Sequence, residues 1–322
     1  TSGELEIVLV LDNTGSMKGQ KLIDLKSAAQ TMVDTLLLPG RDNVRISVVP
    51  FSEYVNVGVP NRNKPWIDVL DDYTTTNSGC VDTYPNKTYS NCTIQTQSCT
   101  SDGNSSSCDN NVCDTDNGTA VQVCNQIITH NWAGCVGSRD DPDDQLDDNY
   151  TTKIPGLFHV TCPSTITPLS NNKSDVTDAI DNLVATGNTY IPTGLAWGWR
   201  ALSEAAPFDQ GKSMTDLLAN KGEKVLILMT DGENTLSASY PLHDGTDETQ
   251  SDDLTQELCT NIKDDQIKIY TIAFQVTDSS TKTMLETCAS EVEYYSDPTT
   301  AMQLTETFKG IANKYSPIWF SR

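Results

Sequence analysis

Two short apolar runs, each ending in an aspartate, constrain this chain more than any other feature. Ile7-Val8-Leu9-Val10-Leu11 leads directly into Asp12-Asn13-Thr14-Gly15-Ser16, and far downstream Val225-Leu226-Ile227-Leu228-Met229 leads into Thr230-Asp231-Gly232. Apolar runs bounded by turn residues read as strands buried on both faces, as in parallel sheets covered by helices. A carboxylate and two hydroxyls at alternate positions then leave the C-terminal end of one strand, and a second carboxylate leaves another. Hard oxygen donors gathered at strand ends of an α/β sheet are what a divalent cation such as Mg²⁺ requires.

The segments around these runs alternate between strand and helix periods. A strand over 6–11, an amphipathic helix over 21–38 and a strand over 44–51 come first. Leu22, Leu25, Ala29, Met32, Val33 and Leu36 repeat at helical spacing, and Pro39-Gly40 stops the helix. The C-terminal part reads as helices over 175–184 and 193–206, a strand over 224–229 and a helix over 252–264. A strand over 268–274, a helix over 279–288, a short edge strand over 292–295 and a helix over 299–315 follow. Such alternation implies an α/β fold with a mostly parallel central sheet and helices on both faces. We expect that domain to be discontinuous, formed by residues 1–61 and 171–322.

Residues 62–170 break the pattern and read as an insertion. They hold eight of the ten cysteines (Cys80, Cys92, Cys99, Cys108, Cys113, Cys124, Cys135 and Cys162), are rich in Asp, Asn, Ser and Thr, and contain no Glu. A loop this long orders only when stapled. Eight cysteines allow 105 pairings, so connectivity is not deducible from spacing. Ten cysteines without a CxxC spacing, beside three histidines, favour disulfides over zinc and an oxidising compartment. The expected location is extracellular, at a cell surface, or periplasmic. Cys259 and Cys288 are expected to pair, because each lies on a helix flanking the strand over 268–274 and such helices share a face.

A formal charge of −23 argues against nucleic acid and anionic membranes as partners. No apolar run approaches the length of a membrane span. The chain opens at Thr1 without a starting Met, which reads as a mature or trimmed product.

Asp12, Thr14 and Ser16 stand at i, i+2 and i+4 in a turn from strand to helix, so their side chains can converge above the strand end. Taken alone, the triplet reads better as a plain helix N-cap, with Ser16 or Thr14 capping the helix and Asp12 satisfying backbone amides. A P-loop is excluded because Gly15 to Gly19 is too short and no Lys-Ser follows. A phosphoaspartate phosphatase needs an Asp where Thr14 stands, and no G-x-S-x-G elbow exists. His130, His159 and His243 are isolated in sequence, and no general base or activated nucleophile accompanies the triplet. The chain is not expected to be an enzyme.

With Thr230-Asp231-Gly232 included, the arrangement resembles the metal-ion-dependent adhesion site, or MIDAS, of von Willebrand factor A domains. That pattern is D-x-S-x-S, a Thr on a second loop and an Asp in a T-D-G-like turn; Thr14 replaces the first Ser and keeps its hydroxyl. Gly187-Asn188-Thr189-Tyr190-Ile191-Pro192-Thr193-Gly194 is similar to the second loop and matches Thr189 to the Thr position. Thr193 is the fallback and is expected to cap the following helix. The resemblance implies a Rossmann-like fold and a metal site of Asp12, Thr14, Ser16, Thr189 and Asp231. It also implies Mg²⁺ (or Mn²⁺ or Ca²⁺) as the ion and an Asp or Glu carboxylate of a protein partner completing the shell.

Asp12-Asn13-Thr14-Gly15-Ser16-Met17, Phe51-Ser52-Glu53-Tyr54, Gly194-Leu195-Ala196-Trp197-Gly198-Trp199-Arg200 and the Cys259/Cys288 pair further resemble TadG-like proteins of bacterial tight-adherence pili. That likeness implies a role in adhesion or pilus assembly, surface filament or pilus components as partners, and a Cys135–Cys162 disulfide. A structural surface or filament subunit is the alternative, with the insertion making the contacts and the metal only stabilising.

Trp197, Trp199 and Leu202 share one predicted helix and read as core. The run from Asp140 to Asp148 is either a solvated acidic stretch or a second, Ca²⁺-binding loop using Asp140, Asp141, Asp143 and Asp144. Sequons at Asn86, Asn91, Asn104, Asn117, Asn149 and Asn172 cluster mostly in the insertion. They are glycan acceptors in a eukaryote and only polar loop in a bacterium.

Overall fold

The computed structural model describes residues 3–84, 87–101, 104–116, 121–147 and 150–316, and between 81 and 123 it describes the side chains of only a few residues. The chain divides into two compact units, Thr1–Val69 with Ala133–Arg322, and Leu70–Trp132.

The first unit begins with β1 (Leu5–Asp12), buried along its whole length, then α1 (Gln20–Leu36) and β2 (Val44–Phe51). Two short strands, β3 (Val55–Asn56) and β4 (Ile67–Asp68), end this first pass. The second unit is two ladders: β5 (Tyr73–Thr83), β6 (Thr88–Ser101), β7 (Asn104–Asp116) and β8 (Val121–His130) pair as β5 with β8 and β6 with β7, all antiparallel. Back in the first unit, β9 (Cys135–Val136) pairs with β3 and β10 (Ile154–Pro155) with β4. Then come β11 (Thr167–Ser170), α2 (Lys173–Asp181), α3 (Ile191–Leu202) and α4 (Met214–Ala219). β12 (Glu223–Thr230), the hairpin β13 (Ser237–Ser239) and β14 (Leu242–Gly245), and α5 (Glu248–Asp264) follow. The chain closes with β15 (Lys268–Ala273), α6 (Ser279–Cys288), β16 (Tyr295–Ser296) and α7 (Ala301–Tyr315).

The central sheet has the order β11-β2-β1-β12-β15-β16. Every pairing is parallel except β11 with β2 at one edge. Alternate residues of β1 face opposite layers, as the period of a strand requires. Ile7, Leu9 and Leu11 join Leu25, Met32 and Leu36 of α1, Ile180 of α2 and Phe308 of α7 in one core layer. Val10 turns to the other face, where α3 lies.

All twelve residues of α3 are buried. A helix apolar on every side needs cover on every side. Towards the sheet, Gly194 and Gly198 allow unusually close approach: a Cβ on Gly198 would stand 2.5 Å from Val10 Cγ2, and one on Gly194 would stand 2.7 Å from the Phe51 ring. Away from it, Trp66 and Phe208 each put their rings 6.0 Å from the Trp197 ring. Trp197 and Trp199 are core residues, and Trp199 Nε1 donates to Asp265 Oδ2 at 2.8 Å.

Several elements depart from the sequence reading. Helix α3 starts before Pro192, because proline is tolerated in a first helical turn. The edge strand is Tyr295–Ser296, preceded by a 3-10 turn over Val292–Tyr294. β11 and α4 are too short to show a period; β11 contains Pro168, which suits an edge strand. Residues 133–170, expected in the insertion, lie in the α/β unit, where β9, β10 and β11 pair with β3, β4 and β2.

Disulfides join Cys135 to Cys162 and Cys259 on α5 to Cys288 on α6, both in the first unit, and Cys80 to Cys124 across β5 and β8. The side chains of Cys92, Cys99, Cys108 and Cys113 lie outside the described residues, as do those of the sequons in the insertion.

Val10 is short, stiff and fixed in a central strand, so it cannot retreat from an added methyl. Gly198→Ala should therefore cost about 1–3 kcal/mol through overpacking. Denaturant unfolding under oxidising conditions measures it; an unchanged midpoint would contradict this packing.

Candidate metal centre

β1 and β12 run side by side in parallel, with Leu11 opposite Met229. From β1 the chain crosses to β2 on one side, while β12 lies on the other. Connections therefore leave the two strand ends in opposite directions and open a crevice at the carboxyl edge, the usual ligand position in such sheets. A third segment borders it, the turn before α3. Gly15 N donates to Gly187 O at 2.9 Å and Thr186 N to Asn13 O at 2.8 Å. Gly187 adopts φ +78°, a left-handed conformation that favours glycine.

Asp12 is fully buried at the end of β1. Its Oδ1 accepts from Thr14 N at 2.8 Å, closing an Asx turn, and its Oδ2 accepts from Thr230 Oγ1 at 2.6 Å. Thr14 Oγ1 and Ser16 Oγ are 2.9 Å apart, and Ser16 Oγ donates to Asp231 Oδ1 at 2.7 Å. The N-cap reading of the triplet fails. α1 is capped by Gly19, and the 3-10 turn Gly15–Met17 that precedes it has no side-chain cap bond from Thr14. Asp12, Thr14, Ser16 and Asp231 thus form one hydrogen-bonded chain between two loops.

Thr189 is fully buried, and its Oγ1 has no hydrogen-bond partner. Its backbone is pinned instead: Thr189 N donates to Thr235 Oγ1 and Thr235 N donates to Thr189 O, both at 2.9 Å. Ile191 N donates to Asn234 Oδ1 at 2.8 Å. Thr193 lies inside the first turn of α3, whose N-cap is Tyr190, so Thr193 is not the cap expected of it.

Burial first, and then the nearby Asp231 carboxylate, push the Asp12 carboxyl up to about 7. A second carboxylate beside a buried one disfavours its charge. A cation relieves that cost, and the available donors are carboxylate and hydroxyl oxygens, the hard set that Mg²⁺, Mn²⁺ and Ca²⁺ take. On the loop that borders the crevice through Gly187, the Thr189 hydroxyl is a further buried oxygen without a protein partner. The residues fit a divalent ion. Among the described residues no three His, Cys, Asp or Glu side chains gather as a metal-ligating group; this site has two carboxylates and draws its other oxygens from hydroxyls.

The sequence reading passed over Thr230, which holds Asp12, and Lys21, whose Nζ lies 2.6 Å from Asp231 Oδ2. A lysine in a first helical turn that contains no acid is the signal for the second. Also missed was a buried hub behind the Thr189 loop. His243 Nδ1 donates to Glu53 O at 2.6 Å, its Nε2 meets Ser138 Oγ at 2.7 Å, and its ring packs on Tyr54 and Tyr190. Glu53 Oε1 accepts from Asn188 N and Nδ2 at 2.9 and 2.8 Å, bracing the residue before Thr189.

The acidic run does not converge. Asp144 Oδ2 accepts from Tyr240 OH, burial raises its carboxyl, and Asp141 Oδ1 accepts from Gln145 Nε2 at 2.9 Å. Asp140 and Asp143 are not brought with them into a described ligand group, and Asp148 lies outside the described residues.

The fold is an α/β fold like that of von Willebrand factor A domains. The family model of the von Willebrand factor type A domain matches residues 6–68. Three solved structures share the fold. Pilus adhesin SpaC from Lactobacillus rhamnosus GG is 12% identical, with a TM-score of 0.52 over 97% of this chain and 30% of that one. The vWF domain of the type V pili tip protein Mfa5 from Porphyromonas gingivalis is 10% identical, with a TM-score of 0.51 over 98% and 95%. Adhesive tip pilin GBS104 from Group B Streptococcus agalactiae is 10% identical, with a TM-score of 0.51 over 97% and 99%. The chain spans about 30% of the SpaC structure's length. No curated protein sequence matches it.

Burial lowers the His243 imidazole to about 4. Between its unfolded value near 6.5 and that figure, the unfolded chain binds a proton that the native one refuses. Stability from this group is therefore complete above about pH 6.5 and is lost as pH falls, by on the order of 3 kcal/mol. Denaturation from about pH 7 to about pH 4 should show that loss in the wild type and not in His243→Phe.

Proposed function

We propose that the chain is a non-enzymatic adhesion or pilus-assembly module that binds a protein partner through a divalent cation. Asp12, Thr14, Ser16, Thr189 and Asp231 hold the ion, with Asp12 and Asp231 supplying charge directly or through water. The observation that carries this reading is the continuous run of oxygen donors across the crevice, together with a buried Thr189 hydroxyl, on the neighbouring loop, that has no protein partner. When bound, Mg²⁺ offers a Lewis-acidic position to an incoming oxygen. Three of the five protein donors are neutral hydroxyls, so the ion keeps positive character and accepts an Asp or Glu carboxylate from the partner. The rigid loops around it, braced by Thr235, Asn234 and the His243 hub, fix where that carboxylate arrives.

Nothing in the donor set resembles a hydrolytic centre. The hydroxyls of Thr14 and Ser16 bond to each other and to Asp231, not to an imidazole. The three relatives in fold are described as a pilus adhesin, a pili tip protein and an adhesive tip pilin, which supports an extracellular or cell-surface role. Disulfides in both units support an oxidising compartment. Among the described residues no helix is long and apolar enough to cross a membrane.

A second reading places the contacts on the Leu70–Trp132 unit. Ile127 and Ile128 are adjacent on β8 and so point to opposite faces, yet they are 72% and 44% exposed. A two-stranded ladder with both faces open is marginal alone and gains from a partner.

Calorimetric titration should find about one Mn²⁺ or Mg²⁺ per chain, and Asp12→Ala should abolish it, because Asp231 is then the only charged ligand left. Capture of a partner from the native surface should fail in chelator and return with Mg²⁺. Unchanged metal affinity in Asp12→Ala would overturn the site. Capture that ignores chelator but disappears when Leu70–Trp132 is replaced by a short linker would move the function to the second unit.

A further inference from the structure

One charged side chain at the crevice stands outside the donor set. Lys21 Nζ lies 2.6 Å from Asp231 Oδ2, while Ser16 Oγ donates to Oδ1 of the same carboxylate at 2.7 Å. The Asp231 side chain is completely buried and that of Lys21 is 27% exposed, so the anion sits inside and the ammonium reaches it from the solvent edge. With the partners of Asp12, this contact gives all four carboxylate oxygens of the crevice a donor.

The start of α1 is a poor place for a lysine. The first turn holds no acidic residue, its N-cap Gly19 makes no side-chain bond, and the N-terminal end of a helix repels a cation. The attraction comes from across the crevice, where Asp12 and Asp231 are buried together. Those same two carboxylates attract a divalent ion.

We propose that Lys21 is a tethered counter-cation: its ammonium holds Asp231 while the site is free of metal, and a divalent ion must compete with it for that carboxylate. The proposal rests on the assignment of Asp12, Thr14, Ser16, Thr189 and Asp231 as metal ligands. Its physical content is a trade. Lys21 lets the metal-free protein fold without an uncompensated pair of buried anions, and in return it weakens the hold on the ion. The site then fills only where divalent ions are abundant, and it stays folded where they are scarce. The long flexible stem of lysine permits the ammonium to swing aside without moving α1.

The test titrates the full chain with Mn²⁺ by calorimetry and follows its thermal unfolding with and without saturating Mn²⁺. Lys21→Met should bind Mn²⁺ about tenfold more tightly or better, since one adjacent charge shifts a carboxylate equilibrium by 10-fold to 1,000-fold. Its metal-free form should melt below the wild type, and saturation should close that gap. Lys21→Gln, which keeps a donor and drops the charge, should also tighten binding if Lys21→Met folds poorly. Lys21→Arg, which keeps the cation, should stay near the wild-type affinity. Wild type that binds Mn²⁺, with neutral variants that bind no more tightly, overturns the counter-cation. Equal destabilisation of the metal-free and metal-saturated forms, without an affinity change, marks Lys21 as merely structural and overturns it too. If neither wild type nor variants bind Mn²⁺, the ligand assignment itself falls, and the wild-type titration alone reports that failure.

Discussion

Two carboxylates, Asp12 and Asp231, are buried at the ends of adjacent parallel strands, and the structure around them is arranged to make that tolerable. Removing a charge from water is costly unless it is hydrogen-bonded or paired. Here every oxygen has a donor: Thr14 N and Thr230 Oγ1 for Asp12, Ser16 Oγ and Lys21 Nζ for Asp231. The donors come from the β1 turn, the start of α1 and the end of β12. Strand register, turn conformation and helix position are thereby coupled through one crevice.

The third wall of the crevice depends on α3. A wholly buried helix starts two residues after Thr189, and its depth is set by Gly194 against Phe51 and Gly198 against Val10 and Leu226. Its outer side is closed by residues that the sequence placed in an insertion. Arg139 and Arg200 both donate to Leu146 O, and β9, β10 and β11 pair with strands of the α/β unit. This region is cover for α3, and the Cys135–Cys162 disulfide ties its ends. The loop that carries Thr189 is therefore held from both sides, with the His243 hub behind it.

The Leu70–Trp132 unit follows a different rule. Its described side chains on β5 and β8 are mostly exposed, and its composition is dominated by Thr, Ser, Asn and Asp. Polar ladders of this kind bury too little apolar surface to fold unaided. The Cys80–Cys124 link across β5 and β8 supplies order that a core supplies elsewhere.

The sequence by itself determined the central strands, the major helices and the positions of Asp12, Thr14, Ser16 and Asp231 at the strand ends. Each of these follows from local patterning: a continuous apolar run is a buried strand, a 3.6-residue period is a helix, and the residue after a strand stands at the edge of the sheet. Edge strand β11, the cover over α3, the reach of Lys21 to Asp231 and the Ser138–His243–Glu53 hub carry no such pattern. In each, the partners stand about 100 residues or more apart, or the element is too short and polar to announce itself. The same distance separates Ser16 the helix cap, as its neighbours suggest, from Ser16 the donor to Asp231, as the folded chain has it. Local sequence places a side chain at the crevice; what that side chain bonds to is decided by elements folded in from elsewhere, because burial forces each polar group to take whichever partner the sheet brings within reach.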